Sequence, residues 1–551
     1  MLLFCTPFLY AQKLDSFDFI VVGAGSAGCV LADRLSQSGA KRVLVLEAGG
    51  TDRRFWIKAP IGYGMSFYNA AVNWKYTTEA VTGLGDRTSY WPRGKVLGGS
   101  SSINAMVYCR GLHADYGDWH DAGNPGWAWK DVKPVFESIE RKVNGDGSAR
   151  GNGALFVSNR EPEYHPLKHN FLHAARSLQL PLSSDLNGDA PEGLGAYPIT
   201  TRNGLRCSSA DAFLRPALKR KNVELRSHAH VHRIIFKDQR AIGVQYSTGQ
   251  DEALTTVFAS GEIILAAGAI NSPQILQLSG IGPAALLREH GINIVFANEA
   301  VGAGLQDHLG INYTFSSKVP TLNGVLGSWS GRLQAGLQFL LQRRGPLSIG
   351  VNQMGGMVRT DATLARPNVQ LYFSPISYSA TFVNQRPLLR PDSFPGFIIG
   401  FNPCRPHSQG HIRIRSSNPL DAPRITPDYL SDPRDLVDVL EGAKLIARLQ
   451  QTPAMQALID SPQDINLISA SLQAIEDDFR QRSGTVYHPC GTCAMRPLAA
   501  GGVVDSQLRV YGVEGLRVAD ASIFPTITSA NTNAPALMVG HQAARFILSS
   551  V

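Results

Sequence analysis

The chain has 551 residues, more than one hydrophobic core normally holds, so we expect two closely joined domains. Hydrophobic residues make up 44% and charged residues 17% of it, a composition that excludes a disordered protein. The formal net charge is +8, but the lysines and arginines are scattered, so we expect no nucleic-acid partner. No apolar run is long enough to predict a membrane span.

The cysteines indicate a reducing compartment. There are seven, an odd number that does not suit a disulfide framework. Cys490 and Cys493 form a Cys-x-x-Cys pair, but no second pair completes a zinc site, so no metal is predicted. We expect a cytoplasmic monomer or homodimer, and peripheral attachment to a membrane stays open. The apolar stretch 1–11 lacks the basic segment of a secretion signal and is either a non-native start or an ordered extension.

The first predicted elements form a strand, helix, strand unit. Residues 17–22 are a short apolar run, residues 27–37 place apolar side chains at helical intervals, and residues 42–46 are a second apolar strand. Buried strands recur much later, at 262–267 and 516–519. We therefore predict a discontinuous cofactor domain, assembled from residues 15–160, 207–312 and 487–551.

The middle of the chain has a different character. Between residues 313 and 486 Phe, Tyr and Pro are frequent, helical patterns appear at 332–343 and 434–450, and residues 410–415 alternate like a half-buried strand. We predict a substrate domain, residues 161–206 and 313–486, on an antiparallel sheet with helices. The expected fold class is α/β, α+β overall, with a Rossmann-like cofactor domain.

The segment Gly23-Ala-Gly25-Ser-Ala-Gly28 follows the first predicted strand and opens the first predicted helix. Its glycines permit a tight turn, close approach of a pyrophosphate, and close packing of helix on strand, while the helix N-terminus attracts the anion. Glu47, at the end of the second strand, would accept hydrogen bonds from ribose hydroxyls. The pattern predicts a dinucleotide site, FAD or NAD, with contacts from Gly23, Gly25, Ser26, Ala27, Gly28, Glu47 and Ala48.

Five further segments resemble, in order, the signature motifs of the glucose-methanol-choline oxidoreductase family. They lie at residues 93–104, 268–282, 487–495, 516–522 and 529–535. The resemblance implies an enzyme that uses FAD in place of NAD. Some relatives attach FAD covalently through a histidine where this chain has Ile103, so non-covalent FAD is expected. The cofactor contacts that the resemblance implies are Val96, Gly99, Ser100, Asn104, Ala105, Met106, Val107, Val231, Ala267, Asp520, Ala521, Asn533 and Pro535, with the Val231 backbone at the adenine.

The resemblance also implies the catalytic pair, His488 and Asn531. His488 would face the flavin N5 and take the substrate hydroxyl proton as hydride leaves, a task that suits a base with a near-neutral pKa. The Asn531 amide can donate a hydrogen bond to the developing alkoxide. Alternatively, Asn531 caps the helix that begins near Ala534, and both roles could hold. The helix 535–548 would point its N-terminus at the flavin pyrimidine.

We expect oxidation of a primary alcohol to an aldehyde, with oxygen or a quinone as electron acceptor. The alternatives are a hydroxynitrile lyase-like enzyme, choline dehydrogenase proper, and a non-catalytic flavin protein. Residues 352–356 resemble a segment in which choline-specific members of the family carry a glutamate before a Gly-Gly pair, but this chain has no glutamate there. Choline is disfavoured because its quaternary ammonium group would lose this electrostatic partner. The candidate substrate residues are Tyr487, Gln353, Tyr378 and Phe401.

Overall fold

The fold was analysed in a computed structural model that describes residues 16–249, 251–383 and 386–550. The N-terminal stretch 1–11 lies outside these residues. Within them, no helix is both long and apolar enough to cross a membrane. The described residues also contain no cluster of three or more His, Cys, Asp or Glu side chains that could bind a metal ion.

Two sheets hold the main strands, which are numbered here in chain order. They are β1 (Ser16–Val22), β2 (Val43–Glu47), β3 (Val223–Ser227), β4 (Ala229–Lys237), β5 (Arg240–Thr248), β6 (Asp251–Leu265), β7 (Leu309–Ser317), β8 (Met354–Val358), β9 (Val369–Ser374), β10 (Gly396–Pro403), β11 (Ile459–Pro462), β12 (Gly484–Thr485) and β13 (Leu516–Val518).

The first sheet has the order β3-β2-β1-β6-β5-β4, and β13 pairs with the end of β6. Strands β1, β2, β3, β13 and the second half of β6 run parallel, whereas β4 and β5 form an antiparallel arm. Every residue of β2 is buried, as expected for a parallel strand covered on both faces. This confirms the Rossmann-like sheet, and its strands come from distant parts of the sequence as predicted.

The second sheet is antiparallel, with the order β8-β9-β10-β7-β11 and β12 beside the start of β7. The predicted boundary at residue 313 falls inside β7, which begins at Leu309. The strand predicted at 410–415 is Gly410–Arg413, and it joins a separate small sheet with Ala303–Leu305 and Arg424–Thr426. Alternating apolar and polar residues indicate that one face of a strand is covered, but they do not identify the strand with which it pairs. The division into domains stays a prediction.

The helices of nine residues or more are again numbered in chain order. They are α1 (Ser26–Ser36), α2 (His113–Asp121), α3 (Trp129–Ile139), α4 (Lys168–Ser177), α5 (Gly268–Leu278), α6 (Trp329–Gln342), α7 (Asp435–Gln451), α8 (Leu472–Arg482) and α9 (Asn533–Ser549).

Short elements complete the described chain. The short helical turns are Phe55–Lys58, Pro60–Gly62, Tyr63–Ser66, Thr82–Leu84, Gly99–Ser102, Glu161–Glu163, Ala210–Leu214, Arg215–Ala217, Ala284–Glu289, Leu322–Gly327, Pro346–Ser348, Pro453–Gln456, Leu498–Ala500 and Ala521–Ile523. The short strands are Tyr76–Thr77, Tyr90–Trp91, Glu140–Val143, Ala149–Arg150, Leu155–Ser158, Gly193–Ala196, Thr201–Arg202, Leu205–Arg206, Ile281–Gly282, Phe296–Ala297, Tyr378–Val383 and Arg386–Pro391.

The first and last helices pack against each other and bring their N-termini together. The Ser26 hydroxyl, in the first turn of α1, donates to Oδ1 of Asn533 at 2.7 Å, in the first turn of α9. Farther along the contact, Gly540 of α9 lies against the Ala27 backbone, and a Cβ on Gly540 would lie 2.6 Å from the Ala27 carbonyl oxygen. The close approach of the two helices therefore depends on glycine at position 540.

We expect Gly540→Ala to lower the free energy of unfolding by about 1–3 kcal/mol, because the new methyl group overpacks this contact. Thermal unfolding of the purified protein is the measurement. Gly336→Ala in α6 is the matched control, because a Cβ there meets no atom within 4 Å. It should instead stabilise by up to about 1 kcal/mol, since alanine is the better helix former. Equal effects of both variants would contradict the packing argument.

Candidate active site

The glycine fingerprint forms a turn that only glycine can build. Gly23 has a φ of 101°, in the left-handed region, and a Cβ there would lie 2.6 Å from the Ala266 carbonyl oxygen. A Cβ on Gly28 would lie 1.9 Å from the Gly23 carbonyl oxygen. The turn and the close helix packing that the sequence predicts are thus both present.

A second glycine-rich loop closes over the fingerprint. Gly99 begins the 3-10 turn Gly99–Ser102, and a Cβ on it would lie 2.7 Å from the Gly25 Cα. The Ser101 hydroxyl bonds Ser209 at 2.8 Å and donates to the Gly98 carbonyl at 2.6 Å, which holds the loop. The two loops leave a cleft whose wall is largely backbone, a surface suited to a pyrophosphate.

The cleft runs from the second strand of the first sheet to the start of α5. Of the predicted cofactor residues, it is lined by Gly23, Gly25, Ser26, Ala27, Glu47, Ala48, Gly99, Ser100, Val231, Ala267, Asp520 and Ala521. The remaining ones are not part of this lining: Gly28, Val96, Asn104, Ala105, Met106, Val107, Asn533 and Pro535.

Glu47 sits at one end of the cleft with its carboxylate among backbone amides. Its two oxygens accept from Ala24 N–H at 2.8 Å and Gly49 N–H at 2.7 Å. Burial raises the pKa of Glu47 to about 7, and those two amides pull it back only in part. Because a carboxylate can accept further hydrogen bonds, it suits the hydroxyls of a ribose. A helix N-terminus followed by this acid fits a dinucleotide such as FAD.

Asp520 organises the other end. Its carboxylate accepts from Gly268 N–H at 2.8 Å and from the Ser272 hydroxyl at 2.6 Å, both in the first turns of α5. It also accepts from Ser522 N–H at 2.8 Å. The predicted turn after β13 is therefore tied to the start of α5, next to the cleft.

His488 is 7% exposed and held on three sides. Its backbone N–H donates to Asp307 at 2.7 Å. Its ring Nδ1 lies 2.9 Å from Nδ1 of His308, and its Nε2 lies 3.0 Å from the amide nitrogen of Asn531. The structure thus brings the predicted pair His488 and Asn531 together and adds His308.

The proton positions on the two histidines follow from one backbone carbonyl. His308 Nε2 lies 2.9 Å from the Cys404 carbonyl oxygen, which can only accept, so this nitrogen carries the proton. Burial lowers the pKa of His308 to about 4, which leaves the ring neutral with a lone pair on Nδ1. His488 Nδ1 must therefore donate to it. Burial, more than nearby His308 and Arg93, also holds the pKa of His488 far below its usual range, so its Nε2 presents a lone pair.

A second carbonyl fixes the Asn531 amide. The Tyr197 hydroxyl donates to the Leu371 carbonyl at 2.7 Å, so its oxygen accepts from Gln370 Nε2 at 3.2 Å. The same Gln370 nitrogen donates to Asn531 Oδ1 at 3.2 Å. Asn531 therefore turns its NH₂ group toward His488. It does not cap the last helix, because the cap residue is Thr532 and no side-chain cap bond is formed there.

Arg93 connects the cleft with His488. It lines the cleft, and its guanidinium donates to the Tyr487 carbonyl at 2.9 Å. Tyr487 has a φ of 69°, an uncommon value for a residue other than glycine, and such backbone strain collects at functional sites. The backbone just before His488 is thus held from the cofactor side.

The four candidate substrate residues separate into two groups. The Tyr487 ring packs on Phe67 at 5.3 Å, and Tyr378 packs beside Tyr63 in the same region. Phe401, in contrast, lies in the hydrophobic core against Phe479 and Gly442. Gln353 is buried, and its side chain accepts from the His165 N–H at 2.8 Å. The structure does not bring Phe401 to His488, because an aromatic residue on a strand fills a core equally well.

Sequence reasoning missed several residues of this network: Arg93, Asp307, His308, Gln370, Tyr197 and Tyr372. The Tyr372 hydroxyl belongs to it because it donates to Gln370 Oε1 at 2.8 Å. The adjacent titratable residues Asp307 and His308, just before a buried strand, were a signal that could have been used. The Asp307 carboxylate also accepts from the Tyr429 hydroxyl, and burial raises the pKa of Asp307 to about 6.

The cysteines are packing groups where the structure describes them. Six of the seven are described, and all six are buried free thiols. Burial raises the pKa of both Cys490 and Cys493 well above its usual value, which opposes a reactive thiolate.

Comparison with known proteins identifies the family of the chain. Two family models described as GMC oxidoreductase match residues 17–310 and 406–540. The chain is 39% identical over 543 residues to alcohol dehydrogenase (acceptor) of Pseudomonas putida, covering 97% of this chain and 96% of that protein. It is 37% identical over 543 residues to oxygen-dependent choline dehydrogenase of Vibrio vulnificus strain YJ016, covering 97% and 94%.

Solved structures show the same fold. Pyridoxine 4-oxidase from Mesorbium loti superimposes with a TM-score of 0.84 at 28% identity, covering 96% of this chain and 98% of that chain. Formate oxidase superimposes with a TM-score of 0.90 at 26% identity, covering 98% and 99%. The chain belongs to the GMC oxidoreductase family and is a flavin oxidoreductase of that type.

Glu47 generates a pH-dependent stability in the protein without flavin. Its folded pKa of about 7 exceeds the unfolded value of about 4.3, so the stability added by protonation is complete below about pH 4.3 and is lost as the pH rises through 7. Across this pH window the free energy of unfolding of the wild type should fall by roughly 2–4 kcal/mol. The Glu47→Gln variant should not show this fall. Denaturant unfolding at several pH values measures this.

The control for this prediction is Glu514→Gln, because the Glu514 side chain is 78% exposed. It should keep the wild-type pH slope. Equal slopes for wild type and Glu47→Gln would contradict the assignment.

Proposed function

We propose that this GMC oxidoreductase binds FAD without a covalent bond and oxidises a primary alcohol to an aldehyde, with His488 as the base. The observation that carries the proposal is the lone pair on His488 Nε2, which faces the Asn531 NH₂ group at 3.0 Å. An acceptor for a proton and a donor for an oxygen stand side by side. An alcohol needs both as its hydroxyl becomes an alkoxide.

The cleft would hold the dinucleotide through its backbone and through the Glu47 carboxylate. Glu47 would bind the ribose hydroxyls, and the fingerprint glycines with the Gly99 loop would contact the pyrophosphate. FAD, when bound, supplies the hydride acceptor. These binding positions fit the predicted domains, because the cofactor would bind at the parallel sheet and the substrate toward the antiparallel sheet.

His488 and Asn531 would act on the same substrate oxygen. The hydroxyl would replace their direct 3.0 Å hydrogen bond: it would donate to His488 Nε2 and accept from the Asn531 amide nitrogen, so that negative charge on the oxygen is stabilised as the proton leaves. The low pKa of His488 keeps it deprotonated at neutral pH. His308 holds the ring in the one tautomer that can accept at Nε2, and it acts as a positioning residue.

Aromatic residues beside the site favour an apolar alcohol. Tyr68 and Tyr90 stack at 5.0 Å, and Phe67 packs between Tyr90 at 5.5 Å and Tyr487 at 5.3 Å. Such a cluster binds aliphatic or aromatic groups through burial of apolar area. Choline is the second candidate, since a choline dehydrogenase is among the similar proteins and aromatic rings also bind quaternary ammonium groups.

His488→Ala should retain FAD and lose substrate-driven flavin reduction, because the variant lacks the proposed acceptor of the hydroxyl proton. We expect a rate constant lowered by at least about a hundredfold. Anaerobic stopped-flow mixing with straight-chain primary alcohols, benzyl alcohol and choline measures it. The best substrate in this panel also identifies the substrate class.

The matched control is His411→Ala, because the His411 side chain is partly exposed, lies 3.9 Å from Asp428 and forms none of the contacts described for the site, so the rate should stay unchanged. Rapid flavin reduction in the His488→Ala variant would refute the base assignment. Wild-type flavin that stays oxidised with every alcohol, while cyanohydrins are cleaved, would favour the lyase.

Acid precipitation of the holoenzyme should release all of the flavin into the supernatant. At the position where some relatives carry the linking histidine stands Ile103, which packs in an apolar cluster with Ile57, Val72 and Val96. A hydrocarbon side chain has no atom that can bond the flavin. Flavin fluorescence that remains with the denatured protein would show that another residue forms the link.

A further inference from the structure

Helix α6 carries an apolar stripe that the described part of the fold does not cover. Trp329, Leu333, Leu337 and Leu341 recur every four residues, and Leu340 lies on the same side. Trp329 is 74% and Leu341 80% exposed, and the three other leucines are about half exposed. The helix packs on the protein through Ala335 and Phe339, which are buried.

The stripe continues onto a second segment of the chain. The Phe55 ring packs edge-on against Phe339 at 6.0 Å and against Trp56 at 4.9 Å, and both Phe55 and Trp56 are more than 40% exposed. We call these exposed residues, Phe55, Trp56, Trp329, Leu333, Leu337, Leu340 and Leu341, the apolar face. Single exposed apolar residues are ordinary, but a contiguous group of this size marks an interaction surface.

The two segments that carry the apolar face contain charged residues of one sign only. Between Lys318 and Thr360 the sequence contains five lysines or arginines and no aspartate or glutamate, and residues 53–78 also contain cations only. Arg53 and Arg54 directly precede Phe55, Arg332 lies on α6, and Arg343 and Arg344 follow it. None of these five forms an ion pair with another described residue, so they are available to an anionic partner.

We propose that the apolar face docks the protein, peripherally, on the surface of a bilayer that contains anionic lipid. Leucines and tryptophans on one side of a helix, flanked by arginines, suit the boundary between headgroups and acyl chains. A second copy of the chain would bring the same arginines face to face, which opposes self-association. Docking needs no membrane-spanning helix.

The inner side of the apolar face leads toward the active site. Leu326, one turn before α6, packs in a cluster with Tyr63 and Tyr378. Tyr63 in turn lies close enough to Tyr487 to interact with it electrostatically. If the proposed alcohol oxidation is correct, docking would bring lipid-dissolved substrates or acceptors close to this aromatic cluster.

Vesicle cosedimentation of the full-length holoenzyme tests the docking. We expect binding to phosphatidylcholine vesicles that contain phosphatidylglycerol, weaker binding without it, and release at high salt. The triple variant Leu333→Gln, Leu337→Gln, Leu341→Gln should bind at least about tenfold more weakly, since it removes much of the buried apolar area. Arg54→Gln with Arg344→Gln should weaken binding by about tenfold and flatten the salt dependence.

The control triple variant is Leu420→Gln, Val437→Gln, Leu472→Gln, which changes equally exposed apolar residues elsewhere and should bind like wild type. Flavin content and thermal unfolding establish that each variant is folded. Independently of the variants, brominated lipid should quench wild-type tryptophan fluorescence more than that of Trp329→Phe. Failure of wild type to bind either vesicle, equal binding with and without phosphatidylglycerol, or a lipid-independent dimer abolished by the leucine triple variant would each overturn the proposal.

Discussion

The tautomer of His488 is the constraint on which the site depends, and two backbone carbonyls determine it. The Cys404 carbonyl orients His308, and His308 orients His488. The Leu371 carbonyl orients Tyr197, then Gln370 and Asn531. A carbonyl cannot donate, so neither end of this network can reverse. Turning any inner group would set two donors against each other in a buried place, at a cost of about 1–3 kcal/mol.

The two ends of the network belong to the antiparallel sheet, whereas the base does not. Gln370 and Leu371 lie on β9, and Cys404 directly follows β10. His488 and Asn531 lie on loops that flank the last strand of the parallel sheet. The protonation pattern of the base is therefore imposed across the seam between the two sheets. A change in the second sheet can alter the chemistry without touching the substrate.

The parts of the fold that could be predicted from sequence are those with a local signal. Helix α1 runs over 26–36 where 27–37 was predicted, because the glycine spacing and the apolar period lie within one short segment. The partners of His488 have no such signal. His308 and Gln370 are more than a hundred residues away in the chain, and the Cys404 carbonyl is a backbone group that leaves no trace in residue type. Phe401 shows a related limit of sequence patterns, since an aromatic residue suits a core and a pocket alike, and its ring packs in the core against Phe479.

The same reasoning separates the two apolar surfaces of α6. Its period predicts a helix with one buried stripe, and the structure buries the narrow stripe of Ala335 and Phe339 while the wider leucine stripe faces outward. Periodicity reports how many faces are apolar, but not which of them the fold covers. The buried stripe anchors the helix, so within the described residues the outward leucines remain without a covering partner. Their chemistry, with arginines at both ends, fits the proposed docking on an anionic bilayer.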